Sequence, residues 1–182
     1  MNKAFRKLHL IYPICILLML GVMVGCGDDD PVKTVITDPG EEEPNLAGVI
    51  GVYADKDGTN ANIVNTGGMV TCYVVHKAVL GVTGSAFALE LPSGWTLQGA
   101  TSPFPLTIGS VFPGQPGISI AYGSCSYGAI HVMTLLLQSP GGAATGHFRV
   151  VPNMQWPNDV QVVDCANNLH EGTGDETNVV SP

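Results

Sequence analysis

The stretch Ile130-His-Val-Met-Thr-Leu-Leu-Leu137 is the most apolar part of residues 47–165, and it indicates how the chain folds. The turn sequence Pro140-Gly-Gly142 follows it. A short apolar run that ends at a turn is typical of a strand buried in the centre of a sheet. We therefore predict a central strand over residues 129–138.

The segments on either side repeat this arrangement of short apolar runs and turns. Apolar residues alternate along them, as in Val70, Cys72 and Val74, which share one face of a strand. No part of residues 47–165 supports a long capped helix. The candidate strands cover residues 47–54, 62–65, 70–79, 85–91, 95–99, 106–108, 117–122, 129–138, 146–151 and 159–164. This number of short strands predicts an all-β fold, a single two-layer antiparallel β-sandwich, with a closed barrel as the alternative.

Composition and charge exclude one class of function. The chain has 182 residues, of which only 12% are charged, while 23 are glycine and 13 are proline. All 15 acidic residues follow Cys26, but only four basic residues do. Phosphate recognition depends on clustered Lys and Arg. We therefore expect no nucleic-acid partner.

The first 25 residues have the pattern of a secretory signal. Lys3, Arg6 and Lys7 form a basic head, and an apolar run extends from Ile11 to Gly25. At 1.5 Å per residue this run would span about 22 Å as a helix, less than the ~30 Å hydrocarbon core of a bilayer. The pattern predicts a signal peptide that is removed.

The sequence Met23-Val24-Gly25-Cys26 resembles the lipobox of bacterial lipoproteins, although Met23 stands where that family prefers Leu. The resemblance implies that Cys26 becomes the first residue and carries a diacylglycerol and an acyl chain, which anchor the protein in a membrane. We expect no other cofactor. An ordinary cysteine after a plain signal peptide is the alternative.

Three aspartates, Asp28, Asp29 and Asp30, follow the cysteine almost directly. They resemble the acidic export signal of lipoproteins in Bacteroidetes-type bacteria, and this resemblance implies an outer-membrane, surface-exposed location. The simpler interpretation is a solvated start to a linker, because adjacent carboxylates repel one another. Residues 26–46 are acidic and proline-containing, and we interpret them as a flexible linker. We interpret residues 47–165 as the sandwich domain and residues 166–182 as a flexible polar tail.

Several strand segments are similar to Ig-like or cohesin-like sandwich modules of secreted bacterial proteins. They are Thr71-Cys-Tyr-Val-Val-His76, Ser85-Ala-Phe-Ala-Leu89, Gly117-Ile-Ser-Ile-Ala121 and Phe148-Arg-Val-Val-Pro152. The resemblance implies a module that binds or spaces other molecules, and it transfers no functional residues.

Three cysteines remain in the predicted domain, and three pairings are open. Cys72 lies within an apolar strand face and is expected to be a buried thiol. Cys125 lies in the predicted turn of residues 123–128, and Cys165 follows a strand. We predict a Cys125–Cys165 disulfide.

Few residues are candidates for ligand contacts. Trp95 and Trp156 border turns and could stack on sugar rings, although turn-flanking tryptophans more often cover a core. Asp55, Asp57 and Asn60 place oxygen donors beside a turn glycine, but the bidentate Glu of an EF-hand is missing, so a polar hairpin turn is favoured over calcium.

No arrangement of residues indicates catalysis. His76, His131, His147 and His170 are the only candidate bases for a thiol nucleophile such as Cys125, and sequence spacing pairs none of them with it. The sequence therefore predicts a non-enzymatic lipoprotein that binds or presents a protein, a glycan or an envelope component. The alternatives are a calcium- or carbohydrate-binding surface module and a small envelope hydrolase that uses Cys125 or acidic residues.

Overall fold

A computed structural model describes residues 46–143 and 146–182 of the chain. Residues 1–25 with the predicted signal, Cys26, and the linker up to residue 45 lie outside the described residues. The described residues form ten strands and contain no helix. The strands are β1 (Val49–Tyr53), β2 (Ile63–Val64), β3 (Met69–Glu90), β4 (Thr96–Thr101), β5 (Leu106–Ser110), β6 (Gly117–Gln138), β7 (His147–Val151), β8 (Val160–Asp164), β9 (Leu169–Gly174) and β10 (Glu176–Val180). Accordingly, in this part of the chain no helix is long and apolar enough to cross a membrane.

The two longest strands, β3 and β6, organise the fold. Each has 22 residues, and they pair antiparallel along most of their length. On its other side β3 pairs first with β1 and then with β8 and β7. On its other side β6 pairs with β5 along its first half and with β4 along its second half. Because the halves of each long strand have different neighbours, both long strands contribute to both layers of the sandwich.

The predicted all-β sandwich is confirmed, and each candidate strand overlaps an observed one. Two pairs of candidate strands are fused, however, since residues 70–79 and 85–91 both belong to β3, and 117–122 and 129–138 both belong to β6. The turn predicted for residues 123–128 is therefore wrong. Gly123 and Gly128 do adopt the positive φ of turn residues. Here they accompany shifts of register that let a continuous strand bend.

The core lies where the alternation of apolar residues places it. Leu135 and Leu137, in the apolar stretch of residues 130–137, are fully buried. So are Val74 and Phe87 of β3 and Phe148 of β7. The central position predicted for residues 129–138 is confirmed, since they pair with β3 on one side and β4 on the other. Four strands, β1, β3, β8 and β9, also close into a small ring, because β1 pairs in parallel with β9.

The interpretation of residues 166–182 as a flexible tail is wrong. They contain β9 and β10, and β10 pairs with β7 and β2. Thr177 and Val179 alternate with polar residues and point into the core, where both are buried. The short, mostly polar sequence concealed two strands because β10 buries only two side chains and β9 has none that is fully buried.

Candidate functional site: an apolar trough on five strands

Five strands lie side by side in the order β5, β6, β3, β8 and β9 and form one outer face of the sandwich. Their register aligns residues in rows across this face. One row consists of Leu106, Ala121, Gly84, Val163 and Leu169. The next row consists of Ile108, Ser119, Ala86, Gln161 and Glu171. With strands about 4.8 Å apart, each row spans about 19 Å.

The alternation of side chains along each strand explains which residues reach this face. Ile118 and Ile120 of β6 and Phe87 of β3 are buried on the inner side of the sheet. Their neighbours Ser119 and Ala86 therefore point outward. The same rule applies to β8, where Val160 and Val162 are buried and Gln161 and Val163 face outward.

The sizes of these side chains make the face concave. The floor carries small residues, namely Gly84, Ala86, Ser119 and Ala121, and the edges carry Leu106 and Ile108 on one side and Val163 and Leu169 on the other. A Cβ atom at Gly84 would lie 2.8 Å from the backbone oxygen of Ile120, so the floor has no room for a side chain there. We call this depression the trough; together with Trp156 its walls enclose a volume of about 360 Å³.

The trough lining exposes large apolar side chains, and the charged residue of its two rows is Glu171, at the outer end of the second row. Leu106, Ile108 and Leu169 are 57%, 67% and 60% exposed. None of the described residues that line the trough is charged. This agrees with the sequence, since residues 91–148 contain no Asp, Glu, Lys or Arg. Contiguous exposed apolar patches are characteristic of interaction sites and ligand-binding grooves.

The two tryptophans have opposite environments. Trp95 is only 6% exposed and packs edge-on against Phe148, with ring centroids 5.0 Å apart. It therefore covers the core, the interpretation favoured for a tryptophan beside a turn, and is not placed to stack on a ligand. Trp156 is 43% exposed and lines the trough. The buried Asn153 holds the Trp156 loop, because its backbone oxygen accepts a hydrogen bond from the Trp156 N–H at 2.8 Å and its Oδ1 accepts one from the Gln155 N–H at 2.9 Å.

The predicted disulfide between Cys125 and Cys165 is confirmed, and Cys72 is a buried free thiol. Cys125 lies within β6 and not in a turn. Because its sulfur is bonded to Cys165, Cys125 is not available as the thiol nucleophile in the cysteine version of the hydrolase alternative. Burial raises the pKa of the Cys72 thiol to about 12, so it is protonated at neutral pH.

In the turn that carries Asp55, Asp57 and Asn60, the side-chain oxygens of Asp55 and Asn60 accept hydrogen bonds from nearby residues. Asp55 Oδ1 accepts a hydrogen bond from the Thr59 N–H at 2.8 Å, and Asp55 Oδ2 accepts one from the Thr59 hydroxyl at 2.6 Å. These bonds, chiefly the one from the hydroxyl, lower the pKa of the Asp55 carboxyl. Asn60 Oδ1 accepts a bond from the Asn62 N–H. Within residues 46–143 and 146–182 no three His, Cys, Asp or Glu side chains are grouped to hold a metal ion.

The four histidines in the described part of the chain contact different partners, and none of them lines the trough. His76 is fully buried, with its Nε2 2.7 Å from the Ala47 oxygen and its Nδ1 3.0 Å from the Tyr122 hydroxyl. His131 contacts the Thr134 hydroxyl. His147 pairs with Glu176 at 3.2 Å, and His170 pairs with Asp164 at 2.9 Å. None of these histidine contacts is with a cysteine sulfur, so they do not form the thiol–imidazole pair considered from the sequence.

Comparison with known proteins identifies the fold. No family model and no curated protein matches the chain. Two similar solved structures are a non-cellulosomal cohesin from the hyperthermophilic archaeon Archaeoglobus fulgidus and the third ScaB cohesin of R. flavefaciens, solved in complex with a group 1 dockerin. The first has a TM-score of 0.51 at 12% identity and covers 73% of this chain and 91% of that structure. The second has a TM-score of 0.50 at 13% identity, and the match covers 77% of this chain and 98% of that structure. The chain therefore has a cohesin-like β-sandwich fold.

Most trough residues were not singled out from the sequence; only Trp156 was. The strand pattern identified the buried faces of β3, β6 and β8. The same alternation also predicts which residues of these strands face outward, and those residues form much of the trough. Two further signals were available, the charge-free run of residues 91–148 and the small residues at 84, 86, 119 and 121. Leu169 was missed because it lies in the segment interpreted as a tail.

Proposed function

We propose that this chain is a non-catalytic module that binds a partner protein in the trough. The observation that carries the proposal is the exposed apolar surface of Leu106, Ile108, Leu169 and Trp156 around a floor of small residues. Completely burying one such aliphatic side chain is worth about 1.5–3 kcal/mol. Clusters of this kind supply most of the binding energy of protein interfaces.

The chemistry of the trough favours a binding role over a catalytic one. Its lining contains hydroxyl groups, one amide and apolar side chains, with no carboxylate, imidazole or amine in the described part of the wall. A catalytic site needs groups that transfer protons or attack a substrate, and it usually gathers titratable residues. The cohesin of R. flavefaciens, whose fold this chain shares, was solved with a dockerin bound, which supports a protein as the ligand here.

The partner must match an uncharged, concave surface. A charged group placed on the trough floor would lose its hydration and find no countercharge among the lining residues, since Glu171 lies at the outer end of the second row. The partner therefore presents an uncharged, projecting apolar surface that fits between the two edges. Because charges contribute little to such an interface, we expect its affinity to depend weakly on salt concentration.

We further propose that the module is anchored by lipid on Cys26 and exposed at the surface of an outer membrane. The lipobox-like sequence and the acidic residues after it support this proposal. A flexible linker of about 20 residues has a root-mean-square reach on the order of 25 Å, enough to hold the domain clear of lipid headgroups.

Site-specific cross-linking tests the binding function. A photoreactive benzoylphenylalanine at position 108, in cells that produce the full chain, is expected to capture a specific protein. The matched control is position 79, because Val79 is 66% exposed, as Ile108 is, but lies outside the trough lining. The substitution Leu106→Glu should reduce the position-108 cross-link at least tenfold, and Val79→Glu should not. Equal capture at both positions, or no capture, would contradict the proposal.

Metabolic labelling tests the anchor. Wild-type protein should incorporate an alkyne-palmitate label and Cys26→Ala should not, whereas Cys72→Ala should label normally. Protease added to intact cells should remove the labelled domain if it faces outward. An unlabelled wild-type protein, or a labelled protein that resists protease on intact cells but not on broken ones, would refute the anchor or the surface location respectively.

A further inference from the structure

The Cys125–Cys165 disulfide crosses over β3 beside the trough. A Cβ atom at Gly81 would lie 2.6 Å from the sulfur of Cys165 and 2.7 Å from that of Cys125. The bridge therefore runs from β6 to the residue after β8 directly above Gly81, and the missing side chain of the glycine makes room for it. It joins two strands that both pair with β3 but not with each other.

The bridge lies where the backbone pairing is interrupted. The register between β3 and β6 shifts between Ala78 and Val82 and again between Val82 and Gly84. The register between β3 and β8 also shifts between Val82 and Gly84. A shift of this kind leaves residues without their regular ladder hydrogen bonds. The disulfide thus ties the strands together where their pairing is irregular.

Few other contacts hold this region. The Cys165 N–H donates to the Gly81 oxygen at 3.1 Å, and the Thr83 hydroxyl lies 3.0 Å from the Asp164 oxygen and 3.4 Å from the Val163 oxygen. The next residue pairs along these strands, Gly84 with Ala121 and Gly84 with Val163, already form the first row of the trough. Whatever loosens β3 from β8 at Thr83 therefore loosens the trough floor.

We propose that the Cys125–Cys165 disulfide is a redox-sensitive clamp that keeps this end of the trough ordered and competent to bind. The inference rests on the proposed function, since it concerns regulation of that same site. Both cysteines are exposed, so a soluble dithiol can reach the bridge. Its thiolate attacks one sulfur, the S–S bond breaks, and the second thiol closes a new disulfide within the reductant. The protein gains two electrons and two protons and holds two thiols, while the dithiol becomes a cyclic disulfide.

The effect of reduction is local. Leu135 pairs with Cys72 of β3 and with Ala100 of β4, ten residues along β6 from Cys125, and Phe148 pairs with Thr177 of β10, so the core around them keeps its packing. The turn between β8 and β9 also keeps its own bonds, since Asp164 Oδ1 accepts the N–H groups of Ala166 and Asn168, each at 2.8 Å. The segment that opens is therefore residues 81–84 against residues 163–165.

Amide hydrogen exchange on the full-length chain, with and without dithiothreitol, tests the clamp without a partner. A disulfide that only constrains the unfolded chain would speed exchange through global unfolding, in the core most of all. If the disulfide is a clamp, reduction speeds amide exchange at Thr83 and Gly84 more than at Leu135. The exchange rate at each of the two residues, divided by the rate at Leu135, should then rise at least tenfold. The variant Cys125→Ser with Cys165→Ser should show the raised ratio without reductant. An unchanged or lower ratio in either sample would overturn the proposal.

A glycine substitution provides a matched second test. In Gly81→Ala the new methyl group would lie 2.6 Å from the Cys165 sulfur, 2.7 Å from the Cys125 sulfur and 2.6 Å from Cζ of Tyr127. Reduction relieves the two sulfur contacts, so at least tenfold less dithiothreitol should reduce half of the protein. Gly68→Ala is the control, because its nearest neighbour would be 4.0 Å away. Identical titrations of the two variants would contradict the geometry of the clamp.

Binding provides the last readout. The cross-link from position 108 should fall at least fivefold when the clamp is reduced. If reduction raises the exchange ratio but leaves the cross-link unchanged, the disulfide does not regulate binding, and the proposed binding function still stands. The absence of any cross-link in oxidised protein would instead count against the binding function, and the exchange ratio would still decide whether the clamp orders the strands.

Discussion

Replacing the same residue type at two positions should change stability in opposite directions. Thr177 is 1% exposed, and its hydroxyl oxygen has no hydrogen-bond partner among the described residues. Thr83 is partly buried, and its hydroxyl donates to the backbone oxygens of β8. Both residues lie in strands, where Thr and Val have similar propensities. The substitutions Thr177→Val and Thr83→Val therefore differ mainly in whether a hydrogen bond is lost.

The magnitudes follow from the cost of burying a hydroxyl group. In protein mutants an unsatisfied buried hydroxyl costs about 1–3 kcal/mol. Since valine removes that cost and keeps the shape, we expect Thr177→Val to raise the free energy of unfolding by about 1 kcal/mol. Thr83→Val removes a satisfied bond, so we expect a loss of about 1 kcal/mol. At a urea dependence of about 2 kcal/mol per molar, the two midpoints should move apart by about 1 M.

Urea titration of the oxidised full-length chain, followed by tryptophan fluorescence, measures both midpoints. The two variants and the wild type must share one slope for the comparison to report stability. A lower midpoint for Thr177→Val would mean that its hydroxyl has a partner or that the site has no room for a methyl group. Shifts of equal sign in both variants would refute the hydrogen-bond reasoning.

Three further predictions concern the core and the trough. Trp95→Ala should lower the free energy of unfolding by about 3–5 kcal/mol in urea titrations, because it empties a buried site. Trp156→Ala should change that free energy by less than about 0.5 kcal/mol, as expected for a surface residue, and should weaken the position-108 cross-link. A larger loss of stability for Trp156→Ala than for Trp95→Ala would contradict the burial of Trp95. Burial lowers the pKa of His76 below its ordinary value of 6.5, so below about pH 6.5 the unfolded chain binds a proton that the folded chain does not. As the pH is lowered below about 6.5, the free energy of unfolding should therefore decrease, and His76 should contribute at most about 1.4 kcal/mol per pH unit to this decrease. In His76→Gln the free energy of unfolding should depend less on pH than in the wild type. Equal pH dependence in the two proteins would exclude His76 as the cause. Gly84→Ala should destabilise the domain in the same urea assay, because its Cβ would lie 2.8 Å from the Ile120 oxygen, whereas the control Gly68→Ala should not. Equal urea midpoints for the two variants would contradict the close packing of the trough floor.

The sequence predicted the parts of this fold that depend on local patterns. Alternation along residues 70–74 and the apolar run from Ile130 to Leu137 identified buried strands, because a half-buried strand must repeat every two residues. The disulfide followed from the positions of three cysteines. The errors occurred where local signals conflict with distant contacts. Gly123 and Gly128 have the residue type of a turn, yet pairing with β3 keeps the segment extended.

The trough could be inferred only in part. Its residues are ordinary strand residues, and Leu106 and Leu169 are 63 positions apart in the sequence. Only the strand order and register bring them to opposite edges of one surface. Trp95 and Trp156 illustrate the same point, since both border turns but only one reaches solvent.

The sequence by itself determined the fold class, the buried face of each strand and the residues capable of forming a disulfide, because each depends on the spacing or chemistry of neighbours along the chain. Tertiary structure alone decided the outer face, since an exposed surface is formed by whichever strands lie side by side. It also decided that the cysteines meet above a glycine. Strand order depends on contacts between distant segments, and no local pattern specifies it.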